Sequence, residues 1–132
     1  MPYRILAFLS KLPSLSTSEF ISYYETKHLP LIISLSGDTL PPVYKRRYTH
    51  LDETAGTFGV MIPPADGGAG IDFDVITELV FESLEAYQAW GVRIASDGGG
   101  EKIVEDEGKF LVRERTRSYV VEEFVTGDGR TE

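Results

Sequence analysis

The spacing of apolar positions changes several times along this chain, and each change marks an element. Tyr3 to Leu9 is a short, mainly apolar run closed by Ser10-Lys11-Leu12-Pro13, the pattern of a strand covered on both faces rather than one alternating between core and water. The period then becomes helical. Phe20, Tyr24 and His28 recur four apart, and Leu31, Ile32 and Leu35 extend the stripe, which places His28 on the inward face. Ser16-Thr17-Ser18-Glu19 fits a capping box, in which the Ser16 hydroxyl accepts from the Glu19 N–H and the Glu19 carboxylate accepts from the Ser16 N–H; Leu15 and Phe20 stand at the hydrophobic-staple positions. Pro30 lacks a backbone donor and disfavours helical geometry at Leu29. A break or kink is therefore expected there, with a further turn restarting at Pro30. His28 would then sit near a helix C-terminus, where carbonyl dipoles favour a cation.

Period two follows. Val43 to Leu51 reads as a strand with Tyr44, Arg46, Tyr48 and His50 on one face and Lys45, Arg47 and Thr49 on the other. Residues 52–72 are rich in glycine and proline, a length of loop used for lids and binding loops but equally that of a plain insertion. Its glycines do not join a strand to a helix, so a phosphate-binding loop is set aside. Phe73 to Phe81 alternates again, with Phe73, Val75, Thr77, Leu79 and Phe81 facing one way and Asp74, Ile76, Glu78 and Val80 the other. Ser83 caps a second helix over Leu84 to Ala95, with Leu84, Tyr87, Trp90 or Gly91, and Ile94 inward. Asp97-Gly98-Gly99-Gly100 stops it, a short helix spans Glu101 to Glu107, and a last strand runs from Thr116 to Val125. Residues 126–132 are a polar tail with nothing to bury, expected to fray and be disordered.

Strand, helix, strand, strand, helix, strand is the order of a ferredoxin-like α+β domain, βαββαβ, with a four-stranded antiparallel sheet in a single unit over residues 1–125. Helices on one face leave the other face bare, yet the strands are apolar on both. An identical sheet from a second copy, in a two-fold homodimer, is the economical cover.

Composition narrows the chemistry. The 132 residues suit one core. With no cysteine, disulfides, thiolate metal sites and a cysteine nucleophile drop out together. Acid/base work near neutral pH on unperturbed side chains falls to His28 or His50, the two histidines. The net charge of -8 opposes nucleic-acid binding; Lys45-Arg46-Arg47 and the arginines at 113, 115 and 117 read as solvated or ion-paired positions. No apolar run approaches the length that crosses a membrane. The N-terminal stretch lacks the features of a signal peptide, so a soluble cytoplasmic protein is expected.

The segments Lys11-Leu12-Pro13-Ser14-Leu15-Ser16, Phe20, and Tyr23-Tyr24-Glu25-Thr26-Lys27-His28-Leu29-Pro30-Leu31 resemble the signature of EthD-domain proteins in the dimeric α+β barrel superfamily. Glu105-Asp106-Glu107-Gly108-Lys109-Phe110 resembles the acidic segment before the last strand in the fungal branch of that family. The resemblance covers most of residues 3–125. It implies a homodimer packed sheet to sheet, with a small-molecule pocket between sheet and helices in each subunit. Several fungal members act in polyketide pathways without metal or organic cofactor, on phenolic or β-keto acid intermediates, by decarboxylation, dehydration or cyclisation. Other relatives in the superfamily are cofactor-free quinol monooxygenases, a plant polyketide cyclase, muconolactone isomerases and haem enzymes, and fold alone does not choose among them. Phe81-Glu82-Ser83-Leu84-Glu85 resembles a segment of the plant cyclase, but Trp90 and Ser96 stand where that enzyme has its catalytic tyrosine and histidine, so its mechanism is not carried over.

His28 is the leading candidate, as general acid/base. A lone histidine on an apolar face is more often a satisfied core residue, and the motif moves the balance toward function; haem ligation is the rival role. His50 shares a face with Tyr48 and Arg46, or stands at a strand end with no role. Asp106, more than Glu107, is a candidate partner that orients an imidazole, the alternative being a solvated helix end. Glu78 and Asp74 lie mid-strand on an apolar face, where a buried carboxylate needs a partner such as the arginines at 113, 115 or 117. Phe20, Tyr24, Tyr87 and Trp90 are candidates for an aromatic wall against a planar substrate, although at helical spacing they are more simply core; Tyr48 and Glu78 are further candidate substrate contacts. The expected function is a cofactor-independent lyase, a decarboxylase or dehydratase/cyclase, acting on an aromatic or polyketide-derived β-keto acid. The alternatives are a cofactor-free monooxygenase of a phenolic or anthrone substrate, and a non-catalytic small-molecule-binding protein.

Overall fold

The computed structural model describes residues 2–51, 58, 62, 64–67 and 71–129. Strand β1 (Tyr3–Leu9) leads to helix α1 (Thr17–Tyr23), a π-helical turn (Tyr24–His28) and helix α2 (Leu29–Ser36). Strands β2 (Val43–Tyr48) and β3 (Val75–Phe81), helices α3 (Leu84–Ala95) and α4 (Gly99–Glu107), and strand β4 (Arg117–Val121) follow. The sheet has the order β2-β3-β1-β4, every neighbouring pair antiparallel. This is the α+β arrangement expected from the element order, compatible with the ferredoxin-like topology.

The first helix begins where the capping box placed it. The Glu19 N–H donates to Ser16 Oγ at 3.2 Å and the Ser16 N–H to Glu19 Oε1 at 2.9 Å, and Leu15 packs against the cluster that holds Phe20. Of the break or kink expected at Pro30, the chain does not break: regular α-helical bonding restarts at Leu29 with Pro30 in its first turn, close to the restart expected at Pro30. Helical backbone runs through to Ser36 by way of one wide turn, in which the Leu29 N–H reaches the carbonyl of Tyr24, five residues back. In an unbroken α-helix the Pro30 ring would press on the carbonyl four residues earlier and leave it without a donor. A π turn re-routes the bonds at that point. His28 accordingly lies mid-helix, and the C-terminal dipole expected beside it stands at the Ser36–Gly37 end, beyond the reach of a terminus effect.

The wide turn also adjusts the helix phase. Phe20, Tyr24, His28, Ile32 and Ser36 are all buried, a strict spacing of four. On a regular α-helix each such step drifts by about 40°; the π turn takes back part of that drift and keeps all five toward the sheet.

Strand ends differ from the sequence expectation. β2 stops at Tyr48 rather than Leu51, β3 starts at Val75 rather than Phe73, and β4 spans Arg117–Val121 rather than reaching Val125. Single backbone bonds continue the pairing beyond two of these ends, Thr49 N–H to the Asp74 carbonyl at 3.0 Å and Asp74 N–H to the Leu9 carbonyl at 2.8 Å. Within α3, Leu84 is exposed instead of inward. The stop after α3 is as expected: Asp97 and Gly98 both adopt positive φ, 53° and 80°, which reverses the chain into α4.

One face of the sheet carries the helices and the main core of Leu9, Phe20, Tyr24, Val75, Phe110 and Leu111. Among the described residues no helix lies over the opposite face. Pairing register places Leu6, Phe8, Ile76 and Val80 there, with Glu78 among them. Glu78 is buried even so, because Arg4 and Arg47 close on it at 2.5 and 3.0 Å. Burial pushes its carboxyl up, and the two guanidinium groups more than offset this and hold it below the usual range. These partners replace the arginines anticipated: Arg113 pairs with Glu107, and Arg115 and Arg117 both pair with Asp72. Asp74 accepts from the Lys11 N–H. Among the described residues no helix is long and apolar enough to cross a membrane.

Candidate functional site

Helix α4 and the coil after it present Asp106 and Phe110, four residues apart, to the π turn. His28 Nδ1 lies 2.9 Å from Asp106 Oδ2, and the Tyr23 hydroxyl donates to Asp106 Oδ1 at 2.5 Å. A carboxylate only accepts, so Nδ1 carries the shared proton and Nε2 is the ring nitrogen left to exchange one. The His28 ring leans on Phe110 at 4.8 Å between centroids and meets Tyr24 edge-on at 5.5 Å. Phe110 also stacks on Tyr23 at 5.1 Å and is itself fully buried. One aromatic wall thus sets the planes of both rings that bind the carboxylate. Burial, with the Asp106 contact second, pushes the Tyr23 phenol up to about 12, so it remains a neutral donor throughout the working range of an enzyme.

Beside this group lies a second polar cluster, between the π turn and β2. Arg46 binds Glu25 through Nε at 2.9 Å and through a terminal nitrogen at 2.6 Å, a two-bond fork. Tyr48 donates to the same carboxylate at 2.6 Å. The Arg46 contact, only partly opposed by burial, holds the Glu25 carboxyl below its ordinary value, with Tyr48 adding to the effect. Deeper in, the Tyr24 hydroxyl lies 2.7 Å from Thr77 Oγ1 and 3.1 Å from the Tyr44 hydroxyl; burial raises both phenols. No buried side-chain polar atom among the described residues lacks a partner.

The residues singled out from sequence fall into several places. His28 and Asp106 meet directly, and Phe20, Tyr24 and Tyr48 share their aromatic cluster, with Phe20 packing on Phe110, Tyr24 and Tyr48. Tyr87 and Trp90 belong to a different group, with Phe81 and Tyr3 under α3; the Trp90 indole donates to Ser36 Oγ at 2.9 Å. The single aromatic wall imagined for Tyr24, Phe20, Tyr87 and Trp90 is therefore two clusters. Glu78 lies on the sheet face opposite His28. His50 leaves the alternation of β2: it follows the strand's end, has φ of 54°, and stacks on Phe58 at 3.8 Å. Most of the 52–72 segment lies outside the described residues, as does the lid reading attached to it. Tyr23 and Glu25 join the site without any sequence signal beyond their place in the Tyr23–Leu31 motif. Their roles follow from a wide turn, which residue spacing alone does not announce.

Chemically, a carboxylate that orients an imidazole serves either acid/base catalysis at Nε2 or metal ligation by it. Among the described residues no group of three or more histidine, aspartate or glutamate side chains converges to hold a metal ion.

Comparison with known proteins agrees with the fold. An ethyl tert-butyl ether D (EthD) family protein from Bacillus halodurans C-125 superposes with a TM-score of 0.56 at 18% identity, covering 94% of this chain and 100% of the other. An EthD-like protein from Ralstonia eutropha JMP134 superposes with a TM-score of 0.60 at 14% identity, covering 98% and 97%. No curated protein matches the sequence. Residues 12–114, which hold the π turn, strands β2 and β3 and the Asp106 segment, match the EthD domain, and the chain belongs to that family.

Proposed function

We propose that this EthD-domain protein is a cofactor-independent lyase in which His28, oriented by Asp106, is the general acid/base, and that its substrate is an aromatic or polyketide-derived β-keto acid. The observation that carries the reading is the 2.9 Å contact between His28 Nδ1 and Asp106 within an aromatic surround. On this reading Nε2, the ring nitrogen not bound to Asp106, is the atom that exchanges protons. In decarboxylation the bond between the α-carbon and the carboxylate breaks, carbon dioxide leaves, and the electron pair passes into an enolate. Protonated Nε2 then delivers its proton to that carbon, and water restores it. Dehydration or cyclisation uses the same atom in the opposite order, first removing a proton from carbon. Asp106 stabilises the imidazolium in either sequence.

The test is turnover of aromatic β-keto acids, followed by carbon dioxide release and product identity, with and without oxygen. Turnover without oxygen is expected, with a fall of about 10²-fold or more in His28→Gln and Asp106→Asn. An absolute oxygen requirement would replace the lyase by a monooxygenase of a phenolate. Binding without turnover would replace it by a small-molecule carrier.

The same reading has a second copy of the chain covering the open sheet face, completing a dimeric barrel. Support comes from Leu6, Phe8, Ile76 and Val80 lying on a face that no helix of the described chain covers. A monomer in sedimentation equilibrium at micromolar concentration would overturn it.

A further inference from the structure

Tyr23 and His28 are five residues apart in the chain, yet they bind the two oxygens of one carboxylate. On a regular α-helix residues five apart lie about 140° from one another around the axis, so no single side chain could receive both. Here the turn between them is π-helical, closed by the Leu29 N–H on the Tyr24 carbonyl, and that wider turn brings positions five apart toward a common face. Both rings rest on Phe110, which leaves little freedom for either to swing away.

From this geometry we infer that Tyr23 is a positioning residue for His28, acting through Asp106, and that the π turn is the element that makes this possible. The inference rests on the reading of His28 as the acid/base group. The Tyr23 hydroxyl occupies Oδ1, so the carboxylate is held from both ends and cannot rotate about its last bond. Oδ2 then stays against Nδ1, and the ring is kept with a proton on Nδ1. A donor on Oδ1 also draws some charge from the carboxylate, an effect smaller than the loss of orientation when the donor is removed altogether. Tyr23 itself need not touch substrate.

The test uses the whole chain and needs no substrate. Imidazole 15N and Nδ1–H proton NMR spectra are recorded over a pH series that includes the neutral form of the ring, for the wild type, Tyr23→Phe and Asp106→Asn. In the wild type His28 is expected as a single tautomer with a slowly exchanging, downfield Nδ1 proton. In Tyr23→Phe that proton should exchange at least several-fold faster and the ring nitrogens shift toward a mixture of tautomers, while the His50 signals stay in place. Unchanged His28 signals in Tyr23→Phe overturn the role of Tyr23. Should Asp106→Asn also leave them unchanged, the dyad beneath the proposed function fails as well, so the two failures are distinguishable. If Tyr23→Phe does not fold, 3-fluorotyrosine installed at position 23 keeps ring and hydroxyl while making the hydroxyl a stronger donor. The His28 Nδ1 proton should then move upfield, and its failure to move overturns the inference.

Discussion

Tyr23 and His28 approach the Asp106 carboxylate from opposite ends, one at each oxygen, although they stand on a single helical stretch. The wide turn lies between them, the aromatic ring of Phe110 lies against both, and α4 presents the carboxylate.

Phe110 links the core to the dyad. It is fully buried and touches Phe20, Tyr23, Tyr24 and His28. Replacing it by alanine should cost about 3–5 kcal/mol in chemical denaturation, by loss of burial plus the cavity left behind. The milder Phe110→Leu should retain the fold and still loosen the His28 ring. If Phe110→Ala costs less than about 1 kcal/mol, the cluster is not the packing centre described.

Gly99 marks the tightest backbone approach among the described glycines. A Cβ built there would stand 2.0 Å from the Ile94 carbonyl oxygen, a backbone atom fixed by the end of α3. Gly99→Ala should therefore destabilise by about 1–3 kcal/mol, toward the upper end because backbone rather than a flexible side chain must move. Gly91→Ala is the control: nothing lies within 4 Å of a Cβ there, so replacing this mid-helix glycine should stabilise by about 0.5–1 kcal/mol.

Glu25 predicts an acid limb in stability. Its folded carboxyl is held below the unfolded value of about 4.3, mainly by Arg46. Its contribution is present above that pH and lost as the pH falls through the lowered folded value. Denaturation midpoints of the wild type should fall on acidification below about pH 5. Glu25→Gln should be less stable at pH 7 and should lose less on acidification. Parallel curves for the two proteins would show that this ion pair does not couple to folding.

Ser36 is a small polar residue at full burial that serves two partners. It donates to the Ile32 carbonyl at 2.5 Å and accepts from the Trp90 indole at 2.9 Å. Ser36→Ala leaves the indole N–H unsatisfied, an expected cost of about 1–3 kcal/mol. Combining it with Trp90→Phe should recover part of the cost of Ser36→Ala, because the orphaned donor is gone. Simple additivity of the two substitutions would count against the hydrogen bond.

Local chemistry in the sequence determined the beginnings of elements and their kinds. The Ser16 capping box, the Ser83 cap, the period-two alternation at Phe73–Phe81 and the glycine stop after Ala95 each act within a few residues, so each is legible from neighbours in the chain. The inward placement of Phe20, Tyr24 and His28 was legible for the same reason, and the Asp106 pairing entered through a motif resemblance rather than through any spacing rule. Tertiary structure decided the rest. Whether Pro30 breaks the helix or widens it depends on the energy of keeping Ile32 and Ser36 in the core, which a local rule cannot weigh. The separation of Tyr87 and Trp90 from Phe20 and Tyr24, the choice of Arg4 and Arg47 as partners of Glu78, and the departure of His50 from its strand all depend on strand register and loop path, set by contacts dozens of residues apart. The convergence of Tyr23 and His28 on one carboxylate is the sharpest case. It requires one helix to be over-wide by a residue, and another, some eighty positions later, to arrive in register with it.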